Sequence, residues 1–306
     1  MQTPAPPDTL DCLVIGGGAA GLTAAIYLAR FRRRLRVVDA GASRMLAIPA
    51  SHNYPGFAGG IRGSEIVRRL REQAEHYGAA ILPGAVTQLE QDEHGFVATL
   101  DDRHWRARTV IVATGVLDVE PALPEVKDAV QHGCVRYCPI CDGFESIGKK
   151  VAVVGRGAGG LHEAVFVRHF ATEVSLLSLD GPLEPDAQQR AQLEAAGIEG
   201  IRAPVERLAF DAAGVMQVHL RDGTRRPFDV VYVALGTLPN SGLAQRLGAA
   251  CNEDGELLVD KHQQTSIPGL YAAGDVVDGL NQITVAMGHA AIAATAIHNR
   301  LRRTAD

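Results

Sequence analysis

Asp11-Cys12-Leu13-Val14-Ile15-Gly16-Gly17-Gly18-Ala19-Ala20-Gly21 is the stretch from which the fold follows. Its first half is an unbroken apolar run, the pattern of a short parallel strand buried on both faces. Gly16, Gly18 and Gly21 then give G-x-G-x-x-G, with Ala20 inside the turn. Leu22 to Phe31 carries apolar residues at helical spacing, and Leu35 to Val38 is a second strand ending in Asp39. Strand, glycine turn, helix, strand and acid in that order form a βαβ unit for a dinucleotide. The glycines let backbone approach a pyrophosphate at a helix N-terminus, and the acid can hold a ribose hydroxyl.

The same pattern returns. Val151 to Val154 reads as a strand, Gly155, Gly157 and Gly160 repeat the fingerprint, and Leu161 to Phe170 continues as a helix. Glu173 to Leu179 is the following strand, closing in Asp180. The chain therefore holds an internal duplication of fold type. Between the copies lie a loop-like region, Gly41 to Gly63, and an amphipathic helix, Ser64 to Tyr77, with Ser64 as the expected N-cap. Strands follow in Ala79 to Leu100 and Arg106 to Val112, the latter running into Ala113-Thr114-Gly115. Pro121 and Pro124 mark a domain crossing, and Leu235 to Asn240, after the strand Phe228 to Ala234, marks the return. A strand ends at Tyr271-Ala272-Ala273-Gly274-Asp275, and Asn281 to His298 reads as a long Ala-rich helix.

Composition narrows the function classes. The 306 residues allow two ordinary domains, and 46% hydrophobic with 21% charged residues is the balance of a soluble globular protein. A net charge of −5 argues against nucleic-acid binding, which needs a basic surface. Met1 to Thr9 lacks the basic and apolar regions of a signal peptide, and no apolar run is long enough to span a membrane. Five cysteines, an odd count, argue against a secreted disulfide framework and for a cytoplasmic location.

Cys138-Pro139-Ile140-Cys141-Asp142-Gly143 carries the chemistry. Two cysteines with two residues between them can close a small disulfide ring. The attacking species in disulfide exchange is a thiolate, so its pKa must be lowered by a helix N-terminus or a cation. Pro139 suits a first helical turn. A zinc site needs two further ligands, and no second Cys-x-x-Cys exists. Cys12 and Cys251 read as structural.

Taken together, these pieces resemble the low-molecular-weight thioredoxin reductases over nearly the whole chain. They come in family order: the two fingerprints, Asn53-Tyr54-Pro55-Gly56-Phe57, Ala113-Thr114-Gly115, Cys138 to Gly143, Gly236 with Pro239-Asn240, and Thr265 to Asp275. The resemblance implies an α/β protein of two Rossmann-like, three-layer ββα dinucleotide-binding domains, the second inserted into the first. Residues 1–118 and 243–306 would form a discontinuous FAD domain, and 119–242 an NAD(P)-binding-like domain carrying the cysteines. It implies a homodimer whose domains rotate in turnover. It places FAD against Gly16, Gly18, Ala20, Gly21 and Asp39, with Asn53 near the isoalloxazine, Val86 at the adenine, and Ala113, Thr114 and Gly115 lining the site. Asp275 would bond the ribityl chain beside Gly274, and Gln282 and Ile283 would offer backbone N–H groups to the flavin. Cys141 would face the flavin, Cys138 would attack the partner disulfide of thioredoxin or a similar molecule, and Asp142 would serve as acid/base.

The second fingerprint departs from that family. NADPH-using members carry His-Arg-Arg where this chain has Ser178-Leu179-Asp180, and Arg156 stands inside the glycine loop of Gly155, Gly157 and Gly160. An acid at Asp180 favours a free ribose diol over a 2′-phosphate. Three inputs stay open: NADH through Asp180, NADPH through Arg156 or Arg202, or another donor such as ferredoxin. A dithiol oxidase using oxygen and a non-catalytic flavin redox sensor are the alternatives. Asp142, where oxidases carry His, and the intact redox motif stand against them.

Overall fold

The structure, a computed structural model, describes residues 9–123, 126–212 and 214–303. Residues 1–8 of the segment Met1 to Thr9, read as lacking the regions of a signal peptide, and Pro124 of the assigned crossing lie outside them. The chain forms two compact units. One holds residues 9–48, Ile61–Leu117 and residues 238–303. The other holds Pro49–Gly60 and Asp118–Thr237. The segments at which the chain crosses, Val116–Asp118 and Thr237–Pro239, pair with one another.

The first unit is built on a seven-stranded sheet. Leu10–Ile15 lies in the middle, parallel to Leu35–Asp39 on one side and to Arg103–Val112 on the other. Ala80–Pro83 extends the first side in parallel. Arg103–Val112 has two partners: its first half pairs antiparallel with Gly95–Leu100, and its second half pairs parallel with Leu270–Ala272. Gly95–Leu100 and Gln88–Asp92 close a hairpin. Cys12, Leu13 and Val14 are fully buried, as the unbroken apolar run requires. The helices Ala19–Arg30 and Ile283–Arg303 pack together on this sheet. Alanines at 286, 290, 293 and 294 are buried, so small side chains in the last helix permit close approach.

The second unit repeats the plan. Its five parallel strands run in the order Glu199–Gly200, Glu173–Leu177, Lys150–Gly155, Val230–Ala234, Val135–Arg136. A three-stranded antiparallel meander, Val205–Phe210, Met216–Leu220 and Arg225–Phe228, covers one face of this sheet. The helices Gly157–Arg168 and Ala187–Ala196 cover the other. Gly155 and Gly160 touch directly: a Cβ on Gly155 would stand 2.4 Å from the Gly160 Cα. Only glycine lets strand and helix meet so closely.

Local boundaries differ from the sequence reading at several elements. Ser64 is not the N-cap, because the helix Gly63–His76 starts one residue earlier, from Arg62. Gly63 packs against the Met45 carbonyl, where a Cβ would stand 1.9 Å away, and this contact sets the start. The second fingerprint's helix begins at Gly157 rather than Leu161, so the glycine loop is itself helical. Residues 49–60 group with the second unit: Asn53 Nδ2 donates to the Ile140 carbonyl at 3.4 Å, and His52 faces Glu145 at 3.9 Å. Among the described residues, no helix is long and apolar enough to cross a membrane.

Candidate active site

In the first unit the glycine turn sits at the carboxyl end of the central strand. Gly18 occupies the N-cap of Ala19–Arg30 in extended backbone, with no side-chain cap and no acid in the first turn. Backbone N–H groups at that end are open to an anion. Asp39 closes the neighbouring strand, nearly buried, and accepts from the Gly41 N–H at 2.9 Å and from Arg71. Ala113-Thr114-Gly115 is pinned to the return segment. The Thr114 hydroxyl donates to the Asn240 carbonyl at 2.7 Å, and Asn240 Nδ2 donates back to the Thr114 carbonyl at 3.1 Å. That exchange accounts for the Asn in Pro239-Asn240. Val86 packs against the same unit's core.

The last helix completes this cradle. Gly274 lies between two helices: a Cβ there would stand 3.0 Å from that of Ala20 and 3.5 Å from that of Ala286. Asp275 follows, 3.3 Å from an Arg44 guanidinium nitrogen. Gln282 and Ile283 stand at the start of the helix, with Asn281 just before them. The Asn281 Oδ1 and the His289 Nδ1 are buried with no hydrogen-bond partner among the described residues. Burial pushes His289 below its ordinary pKa, so it sits as a neutral ring. Buried polar atoms without partners are costly unless something satisfies them. An uncapped glycine-rich helix start, an acid at the next strand and these orphaned atoms together fit FAD. Sequence reading missed Arg44, Asn281 and His289. The signal available was Asn-Gln ahead of a helix and a lone His within an alanine run.

In the second unit the helix takes in the second glycine of the fingerprint. Arg156 is the N-cap of Gly157–Arg168, again without a side-chain cap. Asp180 is engaged: its carboxylate accepts from Arg156 Nε at 2.5 Å and from Nη2 at 3.2 Å. Both side chains are more than half exposed. Arg202 instead pairs with Glu184 at 2.9 Å. A second cation beside Ser178-Leu179-Asp180 is Arg221, whose Nη2 donates to the Leu179 carbonyl at 3.2 Å. Arg221 comes from a turn forty residues on, so strand order alone does not point to it. The loop fits a dinucleotide pyrophosphate, and its ribose end is filled by an ion pair.

Cys138 and Cys141 form a disulfide, with Cα atoms 5.3 Å apart. Cys138 is the N-cap and Pro139 the first residue of the helix that follows. That helix is one turn, Pro139–Asp142, and passes into a 3₁₀ turn at Phe144–Ser146. The sequence reading assigns a helix N-terminus the task of lowering the thiolate pKa. One turn supplies little of a macrodipole, so that task falls to side chains. Arg136 engages the acid of this motif: its Nη1 donates to the Asp142 carbonyl at 2.9 Å, and its Nε lies 3.8 Å from the Asp142 carboxylate. Burial raises the Asp142 pKa above the ordinary carboxylate value, while Tyr232 and Arg136 oppose that shift. The remaining cysteines are reduced: Cys12 is buried, its thiol pushed up to about 12 by burial, and Cys134 and Cys251 are half-buried. Among the described residues, no group of three or more His, Cys, Asp or Glu side chains could hold a metal.

The model of the family described as pyridine nucleotide-disulphide oxidoreductase matches residues 10–290, which takes in both glycine cradles and the disulfide. The chain belongs to that family. Within it, a thioredoxin reductase of Bacillus subtilis is 30% identical over 301 residues, covering 94% of each chain. A thioredoxin reductase of Coxiella burnetii is 30% identical over 307 residues, covering 94% of this chain and 95% of its own length. The crystal structure of thioredoxin reductase from Streptococcus pyogenes superposes with a TM-score of 0.89 at 28% identity, covering 97% of this chain and all of that one. This member of the family is thus a thioredoxin reductase-like flavoprotein disulfide oxidoreductase with two Rossmann-like domains. Its Cys138–Cys141 pair fits a redox dithiol.

Proposed function

We propose that the protein passes two electrons from reduced FAD through the Cys138–Cys141 dithiol to the disulfide of a thioredoxin-like partner, and that a nicotinamide nucleotide held by the second glycine loop is the electron source. The observation that carries this reading is a closed Cys138–Cys141 disulfide adjoining a half-buried, hydrogen-bonded acid. Bound FAD would supply a two-electron carrier between nicotinamide and disulfide. Gly16, Gly18, Ala20 and Gly21 would take its pyrophosphate and Asp39 its ribose. Asp275, Asn281, Gln282 and Ile283 would take the other end.

The chain's own steps then balance. As a dithiol, Cys138 attacks one sulfur of the partner disulfide as thiolate and forms a mixed disulfide. The partner's first sulfur leaves and takes a proton, for which Asp142 is the donor. The Cys141 thiolate, its proton lost to solvent, then attacks Cys138 Sγ, closes the Cys138–Cys141 disulfide and releases the partner's second sulfur as a thiolate that takes a proton from solvent. The partner gains two electrons and two protons. Anaerobic mixing of the purified yellow protein with NADPH, NADH and reduced ferredoxin in parallel tests the input. Flavin bleaching by a nicotinamide supports the reading, and bleaching by ferredoxin alone would overturn it.

The Arg156–Asp180 pair makes nucleotide choice adjustable. A 2′-phosphate would compete with Asp180 for Arg156 and meet a like charge, while a ribose diol would need Asp180 released. Asp180→Asn is therefore expected to raise the NADPH:NADH ratio of kcat/KM by roughly tenfold. Arg156→Ala is expected to shift it the other way. Steady-state kinetics with both nucleotides check this, and an unchanged ratio in both variants would remove the pair from nucleotide recognition.

A further inference from the structure

The second unit holds its acid with more contacts than an exposed carboxyl needs. Tyr232 sits in the strand Val230–Ala234, fully buried, the single hydroxyl in an otherwise aliphatic run. Its hydroxyl donates to the Asp142 Oδ1 at 2.7 Å. A phenol has one proton to give, for which the Asp142 carbonyl at 3.1 Å can only compete, so its contacts with hydroxyl and guanidinium groups are made as an acceptor. It lies 3.1 Å from the Ser146 hydroxyl and receives a 3.4 Å contact from Arg136 Nη1. The strand register explains the grouping. Tyr232 and Arg136 are direct partners in the parallel pair of Val230–Ala234 with Val135–Arg136, so both side chains leave one face of the sheet. Cys138 follows Arg136 by two residues, and its one-turn helix brings Asp142 back over that face.

We propose that Tyr232, supported by Arg136, is a positioning residue that fixes the Asp142 carboxyl for proton transfer to the departing thiolate. This rests on the reading of Asp142 as the proton donor given above. Tyr232 serves as a donor throughout the working pH range, since burial and the neighbouring carboxylate hold its proton well above the ordinary tyrosine value. The other charges facing Asp142 are Arg136 and His52, which favour its ionised form, and Glu145, which opposes it. A hydrogen bond donated to a carboxylate also favours ionisation. Losing the Tyr232 hydroxyl therefore moves the Asp142 titration upward in pH and frees the carboxyl to rotate.

The test uses the purified flavoprotein, reduced at the dithiol and mixed with two disulfide probes. Oxidised glutathione releases an alkyl thiolate that needs a proton. Dithiobis(nitrobenzoate) releases an aryl thiolate that leaves without one. In Tyr232→Phe the ring and its packing remain. Its exchange with glutathione disulfide is expected to slow by about tenfold, with the alkaline limb of the pH profile displaced upward, while the aryl probe reacts at close to the wild-type rate. Arg136→Met is expected to show the same split in rates more weakly. Asp142→Asn is expected to slow the alkyl probe by about a hundredfold and to erase the limb. If Tyr232→Phe keeps the wild-type limb while Asp142→Asn loses it, the positioning role is wrong and the acid stands. If Asp142→Asn keeps the limb, the acid assignment itself fails. Equal slowing of both probes in Tyr232→Phe marks a structural role only and overturns the proposal.

Discussion

Cys141→Ser is expected to abolish disulfide reduction, with turnover down by at least about a thousandfold, and to leave FAD bound. The loss is near-total because the exchange needs two sulfurs. A serine hydroxyl stays protonated at neutral pH and cannot close a disulfide with Cys138. The flavin is spared because the residues of its proposed cradle, from Gly16 to Asp39 and from Gly274 to Ile283, belong to the first unit, and Cys141 belongs to the second. The variant has a distinguishing signature. Cys138 can still attack an added disulfide, and nothing then resolves the product. Intact mass after incubation with oxidised glutathione should show one stable glutathione adduct on the Cys141→Ser protein. Cys138→Ser should be equally inactive. Normal turnover by either variant would remove the pair from the reaction.

Much of this site is legible in sequence because its parts are local. A glycine turn between strand and helix is a property of consecutive residues, and so is a Cys-x-x-Cys with its following acid. The duplication shows as the same pattern written twice. The contacts that tune the site are not local. Asp142 meets Tyr232 across ninety positions and Arg44 meets Asp275 across more than two hundred, through strand pairing that no short motif records. Arg156 is beside Gly155 in sequence, yet its engagement of Asp180 depends on where the next strand ends. The helix after Cys138 lasts a single turn. Pro139 marks the first turn, Gly143 caps it, and a 3₁₀ segment, Phe144 to Ser146, follows at once.

The duplication also explains where the cysteines sit. In both units the central parallel strands run in one order, with the first strand of the fingerprint in the middle. In the first unit the strand beyond the long one, Leu270–Ala272, comes late in the chain. In the second unit the equivalent strand, Val135–Arg136, comes before the fingerprint. It runs parallel to Lys150–Gly155 through Val230–Ala234, so its carboxyl end opens on the same edge as the glycine loop. Cys138 begins just past that end. Ligand and redox groups in open parallel sheets collect at the carboxyl ends of strands. The redox pair and the second glycine loop obey that rule on one sheet, although they come from opposite sides of the fingerprint strand in sequence.

Gly21→Ala is expected to be the most damaging single-methyl change in the first unit. A Cβ on Gly21 would stand 1.8 Å from the Gly16 carbonyl oxygen, a fixed backbone atom at the end of the central strand. No rotamer relieves such a contact, so the helix Ala19–Arg30 must shift from the strand, at a cost of about 3 kcal/mol. That helix packs on the last helix over much of its length, and the shift would also move Gly274 and Asp275. Gly18→Ala is the control. Its added Cβ meets only the Ser43 hydroxyl, at 3.3 Å, so the fold should keep its Tm, while the methyl sits where the pyrophosphate backbone approach is proposed. The expected pattern is loss of both Tm and flavin absorbance in Gly21→Ala, and loss of flavin alone in Gly18→Ala. Wild-type flavin content in Gly18→Ala would place the pyrophosphate elsewhere. Wild-type Tm in Gly21→Ala would mean that helix and strand are not held at the separation this fingerprint requires.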